Sequence, residues 1–279
     1  MIFSDTVCQL GEGALWHPEE GALYWFDILG KRLFRHDGTG QRDWRFDEMV
    51  SAAGWIDQGR LLIASETRLF TFDTAREEEE DVIALESDRD AFRSNDGRAD
   101  PWGGFWCSTM RKDEDGAGGA IYRFYKGELR ALYEDLSIPN SISFAPGGAY
   151  AYFADTPTRK IMRVTLDEDG WPADEPDVFV DLGQESLNPD GSVVDRQGNL
   201  WNAQWGAGRV ACYNPDGQFM TAIGLAAGQV SCPAFGGPDF ATLYVTSAAK
   251  NAPEDDQLAG VTFAVPTGFK GQEAHRVAL

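Results

Sequence analysis

The sequence is poor in the residue types that most often announce chemistry. Cysteine occurs four times, at Cys8, Cys107, Cys212 and Cys232, with no CxxC pair and no histidine at zinc-finger spacing. That excludes a cysteine-ligated metal module and gives no disulfide framework. The three histidines, His17, His36 and His275, are scattered and read as structural or surface residues. Positive charge is scarce: 24 Lys and Arg face 45 Asp and Glu, a formal net charge of −21. Such a chain repels phosphate backbones and anionic bilayers, so neither nucleic acid nor membrane is an expected partner. No apolar run approaches the length that spans a bilayer. The opening MIFSDTVCQLGEG has no basic segment followed by an apolar one, so no signal peptide is expected. The expected setting is a reducing cytoplasm with free thiols. There is no Pro-, Gly- or Ser-rich linker and no long amphipathic helix.

What the sequence has is a repeat. A short apolar strand, a turn at Asp, Pro or Gly, and an aromatic-rich strand recur from Glu12, Ala52, Asn95, Asn140, Asp190 and Ser231. The starts are 40 to 50 residues apart, the period of a propeller blade with four strands. Third strands read as RLFRHD, RLFTFD, AIYRFY, KIMRVT, RVACYN and GVTFAV. Several of them alternate apolar and polar residues, the mark of half-buried strands. Fourth strands are expected at DWRFD, DVIAL, ELRALY, DVFVD, FMTAIG and HRVAL, with Ile2 to Leu10 helping to close the ring beside the last blade. The acidic run Glu77 to Asp81 reads as a solvated loop. The expectation is an all-β fold: one six-bladed β-propeller domain over residues 1–279, its four-stranded blades around a central, metal-containing channel.

The six starting residues occupy equivalent places on the innermost strands, so they form a ring at the channel mouth. Two are carboxylates, two are amides, one is a hydroxyl and one is alanine. Glu12 and Asp190 would repel each other there, and a bound cation relieves that cost. Oxygen donors without histidine suit a hard divalent cation. Register alone leaves open a channel that holds only water. Loops between second and third strands return to the same end and would bring Asp27, Met110, Arg111, Asp155 and Trp205 to the rim. Arg93, two residues before Asn95, could also reach inward, where a guanidinium suits a sugar or a carboxylate.

Beyond these physical readings, LGEGALWHPEEGALYWFDILGKRLFRHD, RSNDGRADPWGGFWCSTM, PNSISFAPGGAYAYFADT and PDGSVVDRQGNLWNAQWGAGRVACYNPDG resemble the regucalcin/gluconolactonase family. Several spaced motifs in one order carry the likeness over nearly the whole chain, and it leans towards bacterial sugar lactonases. The resemblance implies a divalent metal on Glu12, Asn140 and Asp190. Ca²⁺ is expected first, with Zn²⁺, Mn²⁺, Mg²⁺ and Fe²⁺ as alternatives. It implies substrate contacts from Arg93 and Asn95, and a sugar lactone (glucono-, galactono-, arabinono- or xylonolactone class) as the small-molecule partner. Asp190 is the expected general base. Ala14 and Ser141 depart from the family's usual Pro and Gly, which puts local turn geometry in doubt but no ligand. The rivals are a non-enzymatic calcium-binding or interaction propeller, and a phosphotriesterase- or esterase-type hydrolase on the same scaffold.

Overall fold

A computed structural model describes all residues, 1–279. It contains six antiparallel sheets of four strands each, arranged as blades in a ring. The only helical pieces are two single 3₁₀ turns, at Pro146–Gly148 and Thr156–Thr158. No helix is long and apolar enough to cross a membrane.

Burial falls from the axis outwards, and this follows from the sequence of each strand. The innermost strand of the first blade, Gly11–His17, is buried throughout, as is its neighbour Ala22–Asp27. The outermost, Gln41–Arg45, buries only Trp44. Neighbouring blades pack through aromatic pairs. Trp106 of the third blade meets Phe144 of the fourth edge-on at 5.4 Å. Trp201 of the fifth meets Phe235 of the sixth at 5.7 Å, and Trp16 stacks on Tyr244 at 5.4 Å where the sixth blade meets the first. Such pairs add to the burial that holds the ring, since one blade cannot cover both of its own faces.

Ring closure corrects one expectation. The fourth strand of the sixth blade is Ile2–Ser4, not HRVAL; Ile2 pairs with Phe263 and Ser4 with Thr262. Residues 270–279 instead cross the far end of the channel. Gln272 Nε2 donates to the Phe144 and Val194 carbonyls, both at 3.1 Å, and the Val277 and Ala278 amides donate to Trp55 and Gly103. The blade edge was already paired, so this segment satisfies its backbone on the turns below the ring. A second correction concerns the acidic run. Glu78–Ala84 is a strand, the outermost of the second blade. Its charges are tolerated because they face solvent, and Arg68 of the adjoining strand pairs with Glu79 and Asp81.

Candidate functional site

Every innermost strand carries a ladder irregularity near its start: Glu12/Leu15, Val50/Ala52, Ser94/Gly97, Asn140/Ser143, Pro189/Ser192 and Val230/Pro233. An extra residue at this height bends the strand and re-aims its side chains. In four blades the result is convergence. Glu12, Asn95, Asn140 and Asp190, with Arg93, line one cavity of about 110 Å³ open at its mouth. All five are buried, between 3% and 8% exposed.

The other two ring positions do not take part. Ala52 is packed in an apolar cluster with Leu62 and Phe105. Ser231 turns its hydroxyl to the Gly11 carbonyl and to Thr246 Oγ1. Ser231 is one of three similar latches. Ser51 Oγ donates to the Asn95 carbonyl and Ser141 Oγ to that of Asp190, both at 2.5 Å. Serines on the second, fourth and sixth blades thus each fasten the inner strand of the next blade. Ser141 has φ 63°, a left-handed conformation that favours glycine; its serine is tolerated where it supplies one of these latches.

The polar network is directional. Arg93 donates from Nη1 to Asn95 Oδ1 at 2.8 Å and to the Ser94 carbonyl at 2.9 Å. Asn95 Nδ2 donates to Asn140 Oδ1 at 3.0 Å, and Asn140 Nδ2 donates to Thr156 Oγ1 at 2.9 Å. Thr156 Oγ1 donates in turn to the Pro189 carbonyl at 2.7 Å. Asp190 Oδ1 has no partner although it is buried. Glu12 accepts the Gly13 amide on Oε2 at 3.2 Å and lies close enough to the Asp190 carboxyl to share a proton with it. Burial pushes the Glu12 carboxyl up to about 8, aided by the nearby charge of Asp96 and opposed by Arg93. Burial also pushes Asp190 upward, and the charges of Glu12 and Asp96 add to that. Two apposed carboxylates, an orphaned oxygen and an amide oxygen with a spare lone pair form an oxygen-rich donor set, which fits a hard divalent cation. No three His, Cys, Asp or Glu side chains assemble anywhere in the chain as a metal cluster, so the donor set here is two carboxylates completed by amide oxygen.

Several site residues were not visible in the sequence. Asp96 is buried one position after Asn95 and accepts the Gly97 and Ile142 amides at 2.8 and 2.7 Å. A count of one residue per strand passed over it, because the irregular ladder brings two consecutive side chains to the axis. Below it Arg98 crosses the channel, donating to the Ile142 and Ser192 carbonyls, both at 2.9 Å. Glu114, Lys250 and Asn251 reach the mouth from two loops, and Thr156 from a third. Of the expected rim residues, Met110 and Trp205 line the cavity. Asp27 and Asp155 do not. Asp27 accepts the Gln9 and Leu10 amides, both at 3.0 Å, and Asp155 accepts those of Ser137 and Ile138. Both cap the chain as it enters an inner strand, where amides lack a ladder partner. Arg111 is paired with Asp113 at the exterior.

Comparison with known proteins agrees with this fold. A solved calcium-binding protein, regucalcin from Agrobacterium tumefaciens str. C58, superposes with a TM-score of 0.97 at 37% identity, over 100% of this chain and 97% of that one. An L-arabinolactonase of Azospirillum brasilense is 35% identical over 99% of this chain and 95% of its own length. A 6-deoxy-6-sulfogluconolactonase of Pseudomonas putida is 34% identical over 94% of this chain and 92% of its own length. The sequence profile described as SMP-30/Gluconolactonase/LRE-like region matches residues 10–249, which takes in the inner strands of all six blades and every residue of the acidic cavity except Lys250 and Asn251. The chain belongs to the SMP-30/gluconolactonase/LRE-like family.

Proposed function

We propose that this protein is a sugar lactonase, hydrolysing the cyclic ester of an aldonolactone to the sugar acid, and that it depends on a divalent cation. The observation that carries the reading is the unpartnered Asp190 Oδ1 beside Glu12, in a cavity that also presents Arg93 and Asn95. The activities for which the Azospirillum and Pseudomonas relatives are named support the substrate class.

Glu12, Asn140 and Asp190 would hold the cation, with Ca²⁺ first among the candidates. When bound, it supplies positive charge that polarises an ester carbonyl. The rest of the work falls to the chain. Asp190 takes the proton from the attacking water, a role open to it because one carboxylate oxygen is free of protein partners. Arg93, pinned by Asn95 and the Ser94 carbonyl, points its guanidinium at the cavity without the entropy cost of a mobile side chain. It binds the ring oxygen or the hydroxyls of the lactone. Asn95 holds both Arg93 and Asn140, so it joins the substrate side of the pocket to the cation side.

A panel of pentono- and hexonolactones beside an aryl ester, followed by acid release, tests the reading, with metal content measured by mass spectrometry on the same preparation. Lactone opening that stops after chelation and returns with added divalent cation is expected. A metal-loaded protein that opens no lactone is a binding propeller; preference for the aryl ester would mark a different hydrolase.

A further inference from the structure

Two loops from opposite sides of the ring meet over the cavity. One follows Phe105–Arg111 in the third blade and carries Glu114; the other follows Thr242–Ser247 in the sixth and carries Lys250. Lys250 Nζ forms an ion pair with Glu114 Oε1 across 136 residues of sequence. The same oxygen lies 3.8 Å from Nη2 of Arg93. One carboxylate therefore stands between two cations, one deep and pinned, one at the rim.

The two sides of this bridge are unequal. The Lys250 side is anchored: its amide donates to the Gln9 carbonyl at 2.9 Å, and Gln229 Nε2 holds the Asn251 carbonyl at 3.1 Å. The Glu114 side is weakly held. Its neighbours Asp113, Asp115, Gly116 and Ala117 are exposed, and Glu114 itself has φ 60°. Its amide donates to the Arg111 carbonyl at 3.2 Å, which closes the turn but leaves the side chain without a tie of its own on this loop. Lys250 supplies the tie.

We infer that Lys250 is a positioning residue for substrate recognition: it holds the Glu114 carboxylate at the pocket mouth beside Arg93, where that carboxylate accepts hydrogen bonds from the ring hydroxyls of the lactone. This rests on the lactonase reading. An acceptor next to a pinned donor selects vicinal hydroxyls, since one hydroxyl donates to Glu114 while its neighbour accepts from Arg93. The bridge thus tunes the site towards polyhydroxylated lactones and away from unsubstituted ones.

The test is Lys250→Met beside Lys250→Arg and Glu114→Gln, assayed on a hydroxylated aldonolactone and on unsubstituted δ-valerolactone. For the aldonolactone, Lys250→Met is expected to raise KM roughly fivefold, with the effect falling on KM more than on kcat, and Lys250→Arg to restore most of the loss. For δ-valerolactone KM stays near the wild-type value. Lys250→Met added to Glu114→Gln has no further effect, because Lys250 acts only through that carboxylate. Independently of turnover, amides of residues 112–118 exchange hydrogen faster in Lys250→Met than in Lys250→Arg. Wild-type protein that turns over no lactone removes the activity, and this inference with it. Wild-type turnover with an unchanged KM in Lys250→Met, or an equal penalty on both lactones, overturns the inference alone.

Discussion

Stripping divalent cations from the protein is expected to make its stability fall as pH rises, and Glu12 sets the size of the fall. Burial, then the Asp96 charge, lift this carboxyl from 4.5 to about 8. Between those values the unfolded chain has released the proton while the folded chain retains it. The folded state binds more protons there, so stability is highest at the acid end of the window and declines as pH climbs towards the folded value. Glu12 and Asp190 repel each other and titrate as a pair, so one retained proton is the right count. From pH 6 to pH 8 that proton is worth about 2 kcal/mol. At about 2 °C per kcal/mol for a chain of this size, Tm falls by about 4 °C. Scanning fluorimetry in chelator measures it, with the double variant Glu12→Gln/Asp190→Asn as the reference that has no such proton to lose, since burial also raises Asp190. The reference also cancels His36 and His275, whose burial lowers them. Millimolar calcium needs the carboxylates ionised and neutralises them, so it raises Tm in the wild type and recovers the decline. An equal pH slope in wild type and the double variant would refute the reasoning, as would a decline that calcium leaves in place.

Two further expectations rest on separate parts of the molecule. Asp190→Asn should lower kcat at least about 100-fold with metal content unchanged, measured by acid release and mass spectrometry; near-native turnover in a metal-loaded variant would remove the general base. Asp100→Ala should cost about 3–5 kcal/mol in denaturant unfolding, because Arg123 and Asp100 are both fully buried and paired at 2.7 Å. That substitution also frees the Trp102 and Gly104 amides that Asp100 now accepts, and a loss below about 1 kcal/mol would show that water takes its place.

The blades were legible because each one repeats a local event, an apolar strand turning at Asp, Pro or Gly into an aromatic one. Lys160–Thr165 and Asp177–Asp181 match their sequence spans. Closure was half legible: Ile2–Ser4 takes the outer edge of the last blade as read, but HRVAL is displaced from it. Which of two short apolar segments takes that edge depends on a pairing across most of the chain, and no local pattern encodes it. The acidic start of the strand Glu78–Ala84 was misread as loop because charge masked its place on a solvent-facing edge, while its apolar end lies in the span expected as a strand. In the site, four of the six ring residues carried by inner strands converge as the repeat register implied, while Ala52 and Ser231 do not. At the rim, Met110 and Trp205 were legible from the strand-to-strand loops, but Glu114, Lys250 and Thr156 were not: nothing local links Glu114 to Lys250. Asp27 and Asp155 misled because a carboxylate near a rim satisfies backbone amides as readily as it meets a ligand.

Residues 270–279 turn the channel into a cul-de-sac, with the Arg98 side chain as a second barrier above them. Whatever visits the acidic pair comes and goes through a single doorway, the one framed by Lys250 and Glu114. Departure of one guest is then a condition for arrival of the next, and traffic through that doorway, as much as bond breaking, can set the tempo of turnover.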